Sequence, residues 1–401
     1  MGLLRRHAVG RPGWWLAPLA VFAATLFSLT MTAFVVTLRV AHLVIVPVST
    51  RPEDVVVRRV NRKAGTVTLS DHPDATVPGR YSLYFSGGRG YAKVGDIVAM
   101  APGTVTRRLI AQVRGTLRAG MAARVSGIYF ESPAELGLEF EDVIVETKPG
   151  PAPAWFIPAN DAAGRWVIQV HGRGADRKEA IRSVPVFRQA GFSSLLISYR
   201  NDGVAPDSSD GRYALGDTEW EDVEAAIRFA LDRGATGIVL MGWSMGGAVV
   251  LQCVTRSPLS RVVRGVILDS PVVDWIRVLD HQAGALRVPG PIRAAAYRLI
   301  GTPWGRAFTG QAAAIDLARL DFVARAAELS LPTLLMHSDS DTFVPSTGSR
   351  ALAELRPDIV TEVPFAGAGH TRLWNYDEER WSRAITSWLD ETIGLRRPAS
   401  P

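Results

Sequence analysis

Gly242-Trp243-Ser244-Met245-Gly246-Gly247 follows the apolar run Gly237-Ile238-Val239-Leu240-Met241 and precedes the apolar run from Ala248 to Leu251. The pattern reads as a strand, a tight turn bearing one serine, and a helix. Glycine and serine are common in any turn, so the flanking elements are what make the segment informative. The glycines have a mechanical purpose. The serine sits in a strained turn, and side chains at the flanking glycine positions would collide with the adjacent strand and helix. The strain lifts the hydroxyl out of the sheet edge, where a reacting molecule can reach it.

The surrounding rhythm supports that reading. Lys148-Pro149-Gly150-Pro151-Ala152-Pro153 is a stiff junction. After it, predicted strands at 166–170, 194–198, 237–241, 265–268, 333–336 and 359–363 alternate with helical segments near 178–189, 218–232 and 377–389. Thr218-x-x-Glu221 predicts a capping box for the second of these helices, and Gly234 a stop. Such alternation predicts a parallel sheet with helices on both faces. Residues 274–328 interrupt it, between two strands, and are expected to form a cap.

Upstream the texture changes twice. From Pro12 to Leu38 there is no charged residue, and the run is long enough to cross a bilayer as one helix. Trp14 and Trp15 stand where an interfacial anchor would, and Arg39 can snorkel at the other end. A cleaved signal has a shorter apolar core and a small-residue cleavage site, so a retained membrane anchor through residues 14–38 is expected. Arg5, Arg6 and Arg11 on one side nearly balance Arg39, Arg51 and Arg58 on the other. The positive-inside rule therefore decides little, and the downstream domain is expected outside the cytoplasm because long domains translocate largely regardless of flanking charge. Between the anchor and the junction lie short β-like runs, among them 66–69, 81–85, 124–130 and 143–145, separated by Pro-Gly and Gly-Gly signals. Gly87-Gly88-Arg89-Gly90 lacks the Lys-Ser/Thr and helix of a phosphate loop and reads as a hairpin turn. The expected partition is 1–50 basic tail and transmembrane helix, 51–148 β-rich module, 149–395 the α/β domain, and 396–401 a loose tail.

Composition bounds what else is possible. The chain has 401 residues, 47% apolar and 21% charged, which excludes a disordered chain as the main class. The net charge of +6 comes from scattered arginines, so no nucleic-acid partner is expected. Cys253 is the single cysteine. It excludes an intrachain disulfide and, among apolar residues, reads as a buried core thiol. No zinc-type ligand spacing occurs, and neither a metal nor a cofactor is expected.

A serine hydroxyl needs a base within hydrogen-bond reach, and the base needs an orienting carboxylate. The base is expected to be His370, in Gly367-Ala368-Gly369-His370-Thr371. His7, His42, His72 and His281 fall in other regions, and His171 and His337 each end a strand. The acid is expected to be Asp341, in the loop that begins His337-Ser338-Asp339, with Asp339 and Asp269 as rivals. One oxyanion donor comes with the turn, the backbone N–H of Met245. The other is expected from His171-Gly172-Arg173-Gly174, as the backbone N–H of Arg173.

At these residues the chain is similar to a known family. Residues 150–395 resemble an α/β-hydrolase of the serine-hydrolase type through His171-Gly172, the Gly242–Gly247 elbow, the His-Ser-x-x-Asp-x-x-Val-Pro segment and Gly369-His370. The Ser-Met-Gly-Gly elbow resembles those of the branch holding acylaminoacyl-peptidase-like and small-ester hydrolases. The resemblance implies an α/β-hydrolase fold with an eight-stranded, mostly parallel sheet, and a two-step acyl-enzyme mechanism without cofactor. Ser338 stands where glycine is usual in that segment. The expectation is a membrane-anchored serine hydrolase acting on the ester, thioester or amide bond of a small-molecule or peptide substrate. The alternatives are a serine peptidase of the same fold and a non-catalytic binding protein. The loop 199–217 is expected to overhang the site, and Trp275, His281, Tyr297 and Trp304 of the cap to line an acyl pocket or the cap's own core.

Overall fold

The structure, a computed structural model, describes residues 16–48, 51–160 and 164–393. The basic tail 1–11, the Trp14-Trp15 pair and the tail 396–401 lie outside the described residues. The chain opens with helix α1 (Leu16–Ile45), 30 residues long. A closed barrel follows, of strands β1 (Val55–Asn61), β2 (Thr66–Ser70), β3 (Tyr81–Phe85), β4 (Gly90–Ala101), β5 (Thr104–Arg114) and β6 (Ala122–Ser126). The short helix α2 (Pro73–Thr76) sits between β2 and β3. Alternation builds the barrel: in β2 Val67 and Leu69 are buried while Thr66, Thr68 and Ser70 are not. Arg107 is buried at one end, and its guanidinium is satisfied by the carbonyls of Gly95, Ala75, Val77 and Gly79.

The second sheet has eight strands in the order β14-β13-β12-β11-β9-β10-β8-β7. These are β7 (Glu141–Glu146), β8 (Pro151–Ile157), β9 (Arg165–Val170), β10 (Ser193–Ile197), β11 (Gly237–Trp243), β12 (Val263–Asp269), β13 (Thr333–Ser338) and β14 (Val360–Phe365). β14 through β9 to β10 run parallel, and β8 and β7 add antiparallel strands at one edge. The sheet is therefore mostly parallel, as expected. β7 differs from the sequence reading, which grouped residues 143–145 with the upstream module: it pairs with β8 across the Pro-rich junction. A Val-x-Val alternation suits the face of either sheet, so the pattern alone did not assign it.

Helices α3 (Val184–Gln189) and α11 (Glu378–Thr392) cover one face with Phe187, Trp381 and Trp388. Helices α4 (Trp220–Asp232) and α5 (Met245–Arg256) cover the other with Val223, Ile227 and Val249. The capping box does not form. Helix α4 starts at Trp220 without a side-chain cap, because Glu221 turns to Lys148 and Arg200 instead. The insertion between β12 and β13 carries α6 (Trp275–Ala285), α7 (Gly290–Gly301) and α8 (Arg306–Thr309). Helices α9 (Thr347–Leu355) and α10 (Leu373–Tyr376) flank β14.

Helix α1 has two parts. Residues 17–36 are exposed without interruption, whereas Thr37, Ala41 and Ile45 are buried at helical spacing. Ala41 and Ile45 join the same core as Ala296, Leu299 and Ile300 of α7.

Candidate active site

The turn after β11 explains its glycines by contact. A Cβ on Gly242 would lie 2.5 Å from the Gly246 backbone, and one on Gly246 would lie 2.1 Å from the Val170 carbonyl oxygen. Ser244 itself adopts φ 51°, ψ −118°, a conformation rarely held by a residue with a side chain. Its backbone is pinned from both directions: Ser244 N–H donates to Asp269 O, and Ser244 O accepts from Val272 and Gly247.

Strands β11, β13 and β14 are parallel, so the loops after them emerge at one edge of the sheet. Those loops carry Ser244, Asp341 and His370. Ser244 Oγ lies 2.8 Å from His370 Nε2, and His370 Nδ1 lies 2.6 Å from Asp341 Oδ2. The other Asp341 oxygen accepts the N–H groups of Phe343 and Val344, each at 2.9 Å. His337 Nε2 stands 3.3 Å from Asp341 Oδ2. Burial acts against the charged carboxylate, but the His370 charge and the hydrogen bonds from His337 and His370 prevail and hold it well below the usual carboxylate range. The rival acids stand elsewhere. Asp339 is exposed and paired with Arg350 and Ser346. Asp269 is buried, accepting the indole N–H groups of Trp243 and Trp381 and the Ser270 hydroxyl.

The loop after β9 presses on the serine, since a Cβ on Gly172 would stand 3.1 Å from Ser244 Cβ. It is clamped on several sides. Glu179 accepts the Gly172 N–H at 2.7 Å, and the Tyr199 hydroxyl reaches the carbonyls of His171 and Gly172. The His171 ring stacks on Tyr199 at 4.3 Å and faces Asp202 at 3.1 Å. Burial disfavours the charged His171 ring, yet the Asp202 carboxylate outweighs it and raises the pKa. The loop 199–217 thus holds the loop below it. Met245 opens helix α5, in the first turn whose backbone N–H groups have no intrahelical acceptor, and Arg173 lines the cavity at the serine. Among the described residues, no group of three or more His, Cys, Asp or Glu residues converges as a metal site.

A cavity of about 500 Å³ opens at the serine. Its floor holds Ser244, His370, Gly172 and Arg173. Its opposite wall is the barrel, with Arg124, Ser126, Gly127 and Ile128, and the linker residues Val48 and Arg51 complete it. The barrel is fixed there by the segment after His370. Asn375 Nδ2 donates to the carbonyls of Arg80 and Gly127, and Arg372 pairs with Asp74 at 2.6 Å. Sequence reasoning missed this wall, because the barrel carries no residue type that signals chemistry. The cap aromatics do not line the cavity. Trp275 is buried and donates to Leu215 O, Tyr297 bonds Asp280, His281 meets Thr342 O, and Trp304 is exposed.

Residues 167–384 match the family described as Alpha/beta hydrolase family, which is more than half of the 401 residues. The chain belongs to that family. Residues 56–126, the barrel, match a domain of unknown function (DUF8805). The α/β-hydrolase part is similar to Uncharacterized protein Rv2307c of Mycobacterium tuberculosis, 26% identical over 261 residues, covering 63% of this chain and 80% of that protein. Among solved structures it is similar to the esterase Pf2001 of Pyrococcus furiosus, with TM-score 0.51 and 18% identity, over 66% of this chain and 95% of that one. A thermophilic esterase from Thermogutta terrifontis is 22% identical with TM-score 0.46, over 63% of this chain and 99% of that one. The family match and the likeness to Pf2001 show the α/β-hydrolase fold. The barrel and α1 precede residues 167–384.

Proposed function

We propose that this chain is a membrane-anchored serine hydrolase that cleaves an ester, thioester or amide bond through an acyl-enzyme on Ser244. The observation that carries this reading is the unbroken relay from Ser244 Oγ through His370 to Asp341. His370 Nε2 takes the hydroxyl proton as Ser244 Oγ bonds to the acyl carbon. Asp341 holds the ring with Nδ1–H toward its carboxylate, leaving Nε2 free to accept. The negative charge gathering on the acyl oxygen meets the N–H groups of Met245 and Arg173, each such donor contributing about 3–4 kcal/mol in the transition state. His370 returns the proton to the leaving group. Water, deprotonated by the same nitrogen, then attacks the acyl-enzyme and releases the acid.

The anchor reading rests on α1. Twenty consecutive exposed residues, 17–36, rise about 30 Å, the thickness of a bilayer's hydrocarbon core. The last turns of the same helix pack into the enzyme, which favours an anchor kept with the domain over a removed signal. The proposed partition is an anchor to about residue 48, a barrel over 55–126 and an α/β-hydrolase domain from β7 onward, with that domain proposed to lie outside the cytoplasm because long domains translocate largely regardless of flanking charge. A fluorophosphonate probe tests the chemistry directly. It is expected to label the wild type and spare Ser244→Ala, and equal labelling of both would overturn the assignment. Protease access on intact cells tests the membrane face.

A further inference from the structure

The mechanism leaves the barrel without a task, although it forms one wall of the cavity at Ser244. Two guanidiniums stand in that wall. Arg124, in β6, stacks over the Tyr84 ring at 4.7 Å. Arg51, in the linker, donates to the Gly174 carbonyl at 2.6 Å, one residue beyond Arg173. Among the described residues, neither lies within ion-pair distance of a carboxylate. The neighbouring charges are already engaged. Arg372 holds Asp74 at 2.6 Å, Glu179 takes the Gly172 N–H at 2.7 Å, Glu53 takes the Gly88 N–H at 3.0 Å, and Asp54 faces His72 at 3.6 Å.

Two like charges in one partly enclosed cleft repel each other and give up hydration. Burial, and next the Arg51 charge, push Arg124 below its usual value, against the smaller opposing pull of Tyr84, Glu53 and Asp54. An arriving oxyanion reverses both costs, and a guanidinium meets a carboxylate or phosphate with paired N–H donors. We propose that Arg51 and Arg124 form a binding site for an anionic group, carboxylate or phosphate, carried by the substrate whose acyl carbon lies at Ser244. The barrel is then the recognition wall of the enzyme. The placement of the acyl carbon rests on the reading of Ser244 as nucleophile; the anion site does not.

The test is calorimetric binding to full-length Ser244→Ala in detergent, so that no turnover is needed. Two ligands differ by one group: para-nitrophenyl hexanoate, and the para-nitrophenyl monoester of adipic acid, whose acyl chain ends in a carboxylate. The charged ester is expected to bind about tenfold tighter at low salt. Arg51→Gln and Arg124→Gln are each expected to erase most of that advantage and leave the neutral ester unchanged. Arg51 is exposed, so its variant decides the matter if Arg124→Gln unfolds. Inorganic phosphate and a short-chain phosphatidate below its micelle concentration serve as competitors. Equal displacement assigns the site to a free anion, and stronger displacement by the phosphatidate assigns it to a lipid headgroup. Equal binding of the two esters, or an advantage that survives in both variants, overturns the proposal. A fluorophosphonate that fails to label the wild type, or labels Ser244→Ala equally, with charge discrimination intact would instead overturn the nucleophile and keep the anion site.

Discussion

The Arg173 guanidinium donates to the Leu43 carbonyl at 2.7 Å and to the Val46 carbonyl at 3.0 Å. Leu43 carries one of the last carbonyls of α1, which the helix end leaves without an intrahelical partner, and Val46 is the first residue beyond it, at the terminus whose dipole favours a cation. Arg173 lines the cavity at Ser244, and Gly172 before it presses on the serine. A single residue therefore joins the apolar helix to the loop proposed to supply an oxyanion donor.

That joint predicts a kinetic signature. Arg173→Ala keeps the backbone N–H and removes the tie. It is expected to lower kcat about tenfold with KM nearly unchanged, since one charged hydrogen-bonded tie is worth roughly 1.5–3 kcal/mol and only part of it bears on the transition state. Removing residues 1–46 is expected to give a similar kcat loss on a soluble ester, and steady-state kinetics of the two proteins check both. An Arg173→Ala enzyme with wild-type kcat would show that the loop holds its place without the helix.

Ser244→Ala is expected to lower kcat by a factor of about 10⁶, and Asp341→Asn by about 10⁴, as for relays of this kind elsewhere. The melting temperature of Ser244→Ala is expected to stay within a few degrees of wild type. Stopped assays with a chromogenic ester, read beside thermal melts, separate lost chemistry from lost fold.

Asp341 also predicts a pH dependence of stability. Its folded pKa is depressed, so the unfolded chain takes up its proton first as pH falls. The stabilisation is complete above the unfolded value of about 3.9 and is lost as pH drops through the lower folded value. Asp341→Asn is therefore expected to be less stable than wild type from pH 5 to 7, with the difference shrinking below about pH 4. Urea midpoints across that range measure it. A constant gap down to pH 2.5 would contradict the sign.

Gly246→Ala places a methyl 2.1 Å from the Val170 carbonyl oxygen. Backbone must move to admit it. The expected result is a loss of more than about 3 kcal/mol, visible as unfolding at a much lower urea concentration. Gly284 has nothing within 4 Å of such a methyl, so Gly284→Ala is the matched control and is expected to be neutral or stabilising in its helix.

The elbow, His370 and Asp341 were legible because each is local: a strand, a turn and a short motif at a strand's carboxyl end. Parallel topology then does the gathering, bringing loops from β11, β13 and β14 to one edge. The barrel wall was not legible. It depends on Asn375 meeting Arg80 and Gly127 across 295 and 248 positions of sequence, and no periodicity encodes such a meeting. For the cap aromatics the sequence left two places open, an acyl pocket and the cap's own core, and Trp275 takes the second, its indole N–H donating to Leu215 O inside the core. The failure of the predicted cap at Thr218 has a similar cause, since Arg200 and Lys148 compete for Glu221.

Helix α1 turns from exposed to buried at Thr37 and ends at Ile45. On the anchored reading, that stretch is a rigid post about 13 Å tall, standing on the lipid and carrying the oxyanion loop at its top. Height then becomes a selection rule. A bond deep among acyl tails is below the reach of Ser244 unless its owner is lifted out of the leaflet, whereas a bond borne on a headgroup, or on a solute passing along the surface, is already level with the hydroxyl.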